Sequence, residues 1–298
     1  MNDFWISRYK LHSASALNAK SARSVFRGAL IRKGSGFGCL HPWPELGDPT
    51  LEECLVDWSL PLSKQVLGCV AADGEAREKG VSLFKGLSVP KSHATLPIAN
   101  HQAIEQAIRN GFSTVKIKAK GELGDQKKLI ADFPNLKWRI DFNGTADLKK
   151  ITNEVRGIEA QIDFIEDPIP YDLEKWNCFE EETGIALAND REVEAYADCG
   201  IHIIKPALNE VDPLMLRSGR KVVTSYMDHP VGQCFSAYEA ARAGVSELCG
   251  LQTHGLFEKN AFTEALGALG AVGPEFQVPD GSGLGFDDLL EALDWEKI

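Results

Sequence analysis

From about residue 94 onward, short apolar runs alternate with amphipathic stretches in a repeating order. "TLPIAN" precedes "HQAIEQAIRNG", "STVKIKAK" precedes "LGDQKKLIADFP", and "KWRIDFNG" precedes "ADLKKITNEVRGI". The order continues with "DFIEDP" and "YDLEKWNCFEEETG", "IALAND" and "REVEAYADCG", "IHIIKPA" and "PLMLRSGR", then "KVVTSY", "QCFSAYEAARAGVS" and "CGLQTHG". The first member of each pair has the length and apolar content of a buried strand, and the second has helical spacing of its apolar residues. About eight strands alternating with helices predict a parallel α/β domain. Periodicity alone leaves a doubly wound sheet open beside a barrel.

The first 90 or so residues have a different texture. "FWISRYKL" alternates like a strand, and "FRGALIRKGSGFGCLHPWPELGD" predicts two strands around a Gly-rich turn that run into a Pro-broken loop. "TLEECLVDWSLPLSKQVLGCVAADGEAREKG" has helical spacing interrupted at Pro61. Together these predict a mixed α+β unit, joined to the repeating part through the Pro- and Gly-containing "SLFKGLSVPKSHATLPIAN".

Charged residues recur near the carboxyl ends of the predicted strands: Lys118, Asp141, Glu166, Asp190 and Lys205. The first four follow one another at intervals of 23 to 25 residues, one strand–loop–helix unit each, and the last interval is 15. A closed barrel brings neighbouring strand ends to a single mouth, whereas an open sheet spreads them along a line. Five converging charges therefore favour the barrel.

Any one of these acids alone is better explained as a helix cap or an ion-pair partner. Three at neighbouring strand ends repel one another unless a cation lies among them, and a hard divalent ion such as Mg²⁺ with oxygen ligands meets that need. "KIK" alone is equally consistent with two lysines on a solvated edge. Set beside the acids, it has chemical meaning: Lys116 and Lys118 point to the same side of their strand. A free lysine, with a pKa of about 10.4, is a poor base at neutral pH. A second ammonium and a nearby dication lower that value, so Lys116 tunes Lys118, which is nearer the strand end and transfers the proton. Lys205 closes the apolar run Ile203–Ile204 ahead of Pro206 and, in a barrel, stands across the mouth from Lys118. Two lysines about a metal suit abstraction of a proton α to a carboxylate.

Composition narrows the partners. A net charge of −11 and 25% charged residues describe an acidic globular protein, which argues against nucleic acid or an anionic membrane as partner. No apolar run approaches the roughly 20 residues of a membrane span, and the N-terminus has no long apolar stretch of a secretory signal. Seven scattered cysteines without a CxxC pair point to reduced thiols and a cytoplasmic setting. "GSGFG" and "DGSGLGFD" lack the Lys-Ser/Thr of a phosphate loop and are predicted turns or loops. His41, His202, His229 and His254 have no zinc-site spacing. Residues 13–27, small and polar without clear periodicity, suit a mobile lid or a plain surface connection.

"KIK", "RIDFN", "FIEDP", "LAND" and "IIKPA" together resemble the enolase superfamily and, within it, the muconate-lactonizing-enzyme-like group. The N-terminal "FRGALIRKGSGFGCLHPWPELGD" is similar to the o-succinylbenzoate synthase family of menaquinone biosynthesis. The resemblance implies an α/β fold, a (β/α)₇β barrel with an α+β capping domain. Residues 1–92 would form the cap, 93–270 the barrel, and 271–298 a C-terminal segment returning to the cap. It further implies Asp141, Glu166 and Asp190 as Mg²⁺ ligands, Lys118 as general base and Lys205 as the opposing lysine, in cation–π contact with a developing aromatic ring. Arg139 and Asn143 would support the ligands, and Ser225 would contact a substrate carboxylate. The chain departs from the family where Arg191-Glu192 replace the Glu-Ser that usually follows the third ligand, and where "SYMDHPVG" keeps one serine of two. The expected activity is a Mg²⁺-dependent dehydration of a small carboxylate. An N-acylamino-acid racemase or dipeptide epimerase, and a non-catalytic anion-binding barrel, are the alternatives.

Overall fold

The computed structural model describes residues 3–13, 17, 23–191, 200–208, 211–216, 218–266 and 272–298. The chain begins with three antiparallel strands, β1 (Phe4–His12), β2 (Val25–Lys33) and β3 (Gly36–Leu40), and two helices, α1 (Leu51–Val56) and α2 (Pro61–Glu78). Thr50 and Glu53 form a capping box that starts α1. Pro61 opens α2 instead of interrupting it, because a proline in the first helical turn has no N–H to leave unsatisfied. Gly36 lets α2 lie directly on the sheet: a Cβ there would stand 2.0 Å from the Val70 carbonyl oxygen. Val25–Arg27, placed by the sequence in a loop, are part of β2, with Phe26 fully buried. The rest of that predicted loop lies mostly outside the described residues.

The repeating part follows as β4 (Ala94–Leu96), α3 (His101–Arg109), β5 (Thr114–Lys118), α4 (Asp125–Asp132), β6 (Lys137–Asp141) and α5 (Leu148–Glu154). It continues as β7 (Ile162–Glu166), α6 (Leu173–Thr183), β8 (Leu187–Asn189), β9 (Ile201–Ile204), β10 (Arg220–Val223) and α7 (Pro230–Arg242). The expected helix in "REVEAYADCG" falls on residues 192–199, outside the described residues. "PLMLRSGR" is not helical at Pro213–Leu216; the chain turns there, with Met215 N–H donating to Asp212 O. Two short helices, α8 (Ala261–Ala265) and α9 (Asp287–Glu291), and the strand β11 (Glu296–Lys297) complete the chain.

Strands β4 to β10 form one parallel sheet in chain order. Parallel bridges Ser92↔Cys249 and Thr224↔Gly250 insert residues 249–250 between the first and last of these strands and close the barrel. The main core lies between sheet and helices and includes Ile104, Ile117, Ile130, Trp138, Ile151 and Ile165. A small separate cluster, Phe164, Ala188, Ile201, Ile203 and Val222, fills the barrel itself. β11 pairs with β1, and Asp73 of α2 accepts from Leu284 N–H, so the C-terminal residues pack on the N-terminal sheet and helix. Among the described residues no helix is long and apolar enough to cross a membrane.

Candidate active site

Parallel pairing sets Lys118 opposite Asp141, Asp141 opposite Glu166, and Glu166 opposite Ala188, two residues before Asp190. The strand ends are thus level, and their side chains open into one cavity of about 300 Å³. Lys116, Lys118, Asp141, Glu166, Asp190, Lys205, Asn143 and Ser225 all line it. A larger hollow of about 770 Å³, bounded by α3 and residues 252–257, contains none of the strand-end carboxylates or lysines.

Two of the lysines are committed to carboxylates. Lys116 Nζ lies 2.6 Å from both oxygens of Glu166 and 3.5 Å from Asp141 Oδ2. Lys205 Nζ donates to Asp190 Oδ2. Burial opposes the charge on each, but Glu166 and Asp190, joined by Asp141 at Lys116, outweigh it and hold both pKa values above the ordinary lysine value. Lys118 has no ion pair among the described residues. Burial pushes its pKa down; Asp141 opposes that shift, while the charges of Lys116 and Lys205 add to it. Both Glu166 oxygens accept from the Lys116 ammonium. Even so, burial and the neighbouring Asp141 and Asp190 charges raise its pKa to about 8 against the pull of Lys116.

The loops after the strands fix these acids. Asn143 donates from Nδ2 to Asp141 Oδ1 (2.8 Å), and its backbone N–H reaches the same oxygen (3.0 Å). Asp167, which sequence reasoning missed, accepts from the Asp190 N–H (3.0 Å) and so positions the third carboxylate. Burial and the Asp190 charge raise its pKa to about 7. Arg191, the departure from the family pattern, donates to Asn143 O (2.9 Å) and lies 3.6 Å from Asp167, tying the first carboxylate's loop to the third's. Asn143, Asp167 and Met227 all have positive φ, between 40° and 51°, a conformation costly for non-glycine residues and here grouped at the mouth.

Arg139 sits deeper than expected. It is buried inside the barrel, where it donates to Asp163 Oδ2 (2.7 Å) and Leu248 O (2.6 Å), lies 2.9 Å from His93 Nδ1, and stacks over Phe164. Its partners are these groups, not the three strand-end carboxylates, because it precedes Asp141 by two residues and so lies one layer below it in the barrel. Ser225 is buried and shares a hydrogen bond with Thr253 Oγ1 (2.8 Å). His93, Thr95, Thr224, Gly250 and Thr253 also line the cavity. No motif marks them; they come from the first, seventh and eighth barrel strands and adjoining residues, which carry no strand-end acid or lysine.

A family model described as O-succinylbenzoate synthase, N-terminal domain, matches residues 4–76. An o-succinylbenzoate synthase of Bdellovibrio bacteriovorus is 30% identical over 98% of this chain and 97% of its own length. The chain belongs to the o-succinylbenzoate synthase family. It is accordingly an enzyme of that type, a carbon–oxygen lyase. Among solved structures, the L-Ala-D/L-Glu epimerase of Bacillus subtilis matches 96% of the chain and 98% of its own, with a TM-score of 0.78 and 16% identity. A dipeptide epimerase of Methylococcus capsulatus, complexed with Mg and L-Arg-D-Lys, matches 96% of this chain and 99% of its own, with a TM-score of 0.74 and 14% identity. At such identities these likenesses establish the fold, a (β/α)₇β barrel with an α+β cap.

The donor set suits a divalent metal. Three carboxylates supply only hard oxygen ligands, and Asp190 Oδ1 is buried without a hydrogen-bond partner among the described residues. As placed they do not form a cage: among the described residues no three His, Cys, Asp or Glu side chains stand close enough together to hold an ion. Lys116 bridges Asp141 and Glu166, and Lys205 takes Asp190, so ammonium groups supply the positive charge the acids need.

Proposed function

We propose that this enzyme is a Mg²⁺-dependent dehydratase converting 2-succinyl-6-hydroxy-2,4-cyclohexadiene-1-carboxylate to o-succinylbenzoate and water, in the cytoplasm and as a step of menaquinone biosynthesis. One asymmetry carries the reading beyond family membership: Lys116 and Lys205 are ion-paired in the cavity, and Lys118 has no ion pair among the described residues. A buried lysine without a carboxylate partner gives up its proton readily and can act as a base; one held by a carboxylate keeps its charge.

Lys118 takes the proton from ring carbon C1, α to the carboxylate, and the C–H electron pair moves into that carboxylate as an enediolate. The pair then returns to form the C1–C6 double bond as the C6–O bond breaks, which completes the aromatic ring. Lys118 passes its proton to the departing hydroxyl, which leaves as water. Lys205 remains an ammonium and faces the anionic ring. A Mg²⁺ held by Asp141, Glu166 and Asp190 would offset the negative charge that builds on the carboxylate. Asn143 and Asp167 orient the ligands, and Ser225 contacts a carboxylate of the substrate.

A two-base racemase or epimerase is the second reading, favoured by the placement of Lys118 and Lys205 four strands apart around the barrel. The discriminating experiment is an ultraviolet assay for the aromatic product, run beside N-acylamino-acid and dipeptide substrates. Dehydration well above epimerisation supports the proposal; epimerisation without dehydration overturns it. We also propose the division into a cap of residues 1–92, a barrel of 93–270 and a C-terminal segment of 271–298.

A further inference from the structure

His93 immediately precedes β4, at the seam where the barrel closes; its backbone N–H donates to Cys249 O (2.8 Å). The side chain is buried inside the barrel at 2% exposure, yet it lines the same cavity as Lys116, Thr224 and Gly250. Arg139 Nη1 lies 2.9 Å from His93 Nδ1. A guanidinium has donors only, so Nδ1 must be the acceptor and the imidazole proton of a neutral ring must sit on Nε2. Arg139 cannot easily turn away, because Asp163, Leu248 O and the Phe164 ring hold it from other sides. Burial, with the Arg139 and Lys116 charges, keeps the ring neutral.

Glycine at 250 keeps a side chain off the Nε2 edge of the ring, which lines the cavity. A Cβ there would stand 3.1 Å from both Cε1 and Nε2 of His93, and 2.9 Å from Thr224 Cγ2. The cavity thus has two unlike walls. Asp141, Glu166 and Asp190 come from β6, from β7 and from just past β8. His93 and Gly250 belong to the seam between the first and last barrel strands. If a cation bound among these acids holds the ring carboxylate at their wall, the neighbouring acyl arm is carried onto the other.

We infer that the Nε2–H of His93 is a fixed hydrogen-bond donor to the ketone oxygen of the substrate's acyl arm, which makes His93 a specificity-determining residue. The identity of that arm rests on the dehydratase reading; the orientation of the imidazole does not. A neutral donor deep in the cavity matches an uncharged carbonyl, whereas the arm's terminal carboxylate can stay near the wetter rim, where Lys120 is exposed.

The test compares Mg²⁺-loaded wild type with His93→Phe and His93→Gln. Glutamine can accept from Arg139 and donate onward; phenylalanine can do neither. Three ligands are titrated: o-succinylbenzoate, 2-butanoylbenzoate (ketone kept, terminal carboxylate absent) and benzoate. We expect His93→Phe to weaken the first two on the order of tenfold, the effect of one lost hydrogen bond, and to leave benzoate within about twofold. His93→Gln should recover part of the loss, and in turnover KM should move more than kcat. In ¹⁵N-labelled wild type, the proton should reside on Nε2, and its resonance should shift with o-succinylbenzoate but not with benzoate. A proton on Nδ1, equal weakening of all three ligands, or weakening confined to o-succinylbenzoate each overturns the assignment. Wild type without dehydratase activity defeats the functional reading and leaves the tautomer measurement intact; active wild type with unchanged binding in His93→Phe defeats this inference alone.

Discussion

The Lys116 ammonium lies 2.6 Å from both oxygens of Glu166, reaching from β5 past β6 to β7, two strands that begin 48 residues apart in the chain. With Lys205 on Asp190, it neutralises the acidic wall from within. On the proposed reading, a divalent ion would compete with these ammonium groups for Asp141, Glu166 and Asp190.

Removing the metal should accordingly abolish turnover without unfolding the chain. Dialysis against a chelator is expected to eliminate dehydration and added Mg²⁺ to restore it, with melting temperature rising on Mg²⁺ addition because the ion binds only the folded state. Glu166→Gln should lower kcat/KM on the order of 10² to 10³-fold, the scale for loss of one electrostatic contact to the transition state. Full activity in excess chelator would remove the metal from the mechanism.

The unequal pairing of the lysines gives a second prediction. Arginine keeps positive charge but cannot act as a base at neutral pH. Lys118→Arg should lose roughly 10³-fold or more in dehydration, the scale of a missing general base. Lys205→Arg should retain measurable dehydration, since only its charge is needed. Lys205→Ala, measured beside it, separates loss of charge from the bulk of the guanidinium. Equal and complete loss in both arginine variants would shift the assignment to a two-base epimerase.

The alternation of strand and helix was legible because the buried parallel strands leave compact apolar runs, and the strand-end charges stood out because they interrupt those runs. β5 and β9 and their lysines could be read that way. Residues 213–216 could not: their apolar content resembles a helix, but Met215 is exposed and Pro213 begins a turn. Arg139 shares the strand parity of Asp141, so sequence placed it in the site, but depth along a strand decides what it meets. Asp167 and His93 were missed for another reason. Asp167 follows a stronger candidate in "IED", and His93 matters only because barrel closure brings residue 250 beside it.

A buried carboxylate on α2 joins the N-terminal sheet to the C-terminal residues. Asp73 is fully buried and accepts from Phe37 N–H (2.8 Å), Leu284 N–H (2.6 Å) and Arg77 Nε (2.6 Å), while Arg77 also reaches Asp287 Oδ1 (2.5 Å). Asp73→Ala leaves the Phe37 and Leu284 N–H groups and Arg77 Nε without their acceptor, so roughly 3 kcal/mol of stability should be lost. Denaturant melts would register this as a lower midpoint. Arg8→Ala, which breaks the exposed pair with Glu52, is the control and should cost less than about 1 kcal/mol. Comparable effects from both would mean that Asp73 does not hold the two segments together.

Asp228 provides a test of pH dependence away from the metal ligands. It is fully buried, its Oδ1 has no hydrogen-bond partner among the described residues, and it is near Cys39 and Gly232. Burial raises its pKa from 3.8 to about 7, despite backbone hydrogen bonds that favour the ionised form. Below about pH 3.8 the carboxyl is protonated in both folded and unfolded chains. Between that value and about 7 the unfolded chain releases its proton first, so the contribution to stability declines as pH rises and is lost above the folded pKa. Asp228→Asn cannot ionise. Relative to wild type, the variant should gain stability as pH rises through this window, by up to roughly 4 kcal/mol. Buried His41, His229 and His254, with pKa values lowered by burial to about 3, 3 and 4, act with the opposite sign: they destabilise the fold as pH falls below 6.5. They are present in both proteins and largely cancel in the difference. Urea melts of the two proteins at pH 4, 5.5, 7 and 8.5 measure that difference directly, and a value that stays constant across the series would show that Asp228 keeps an ordinary carboxylate pKa in the fold.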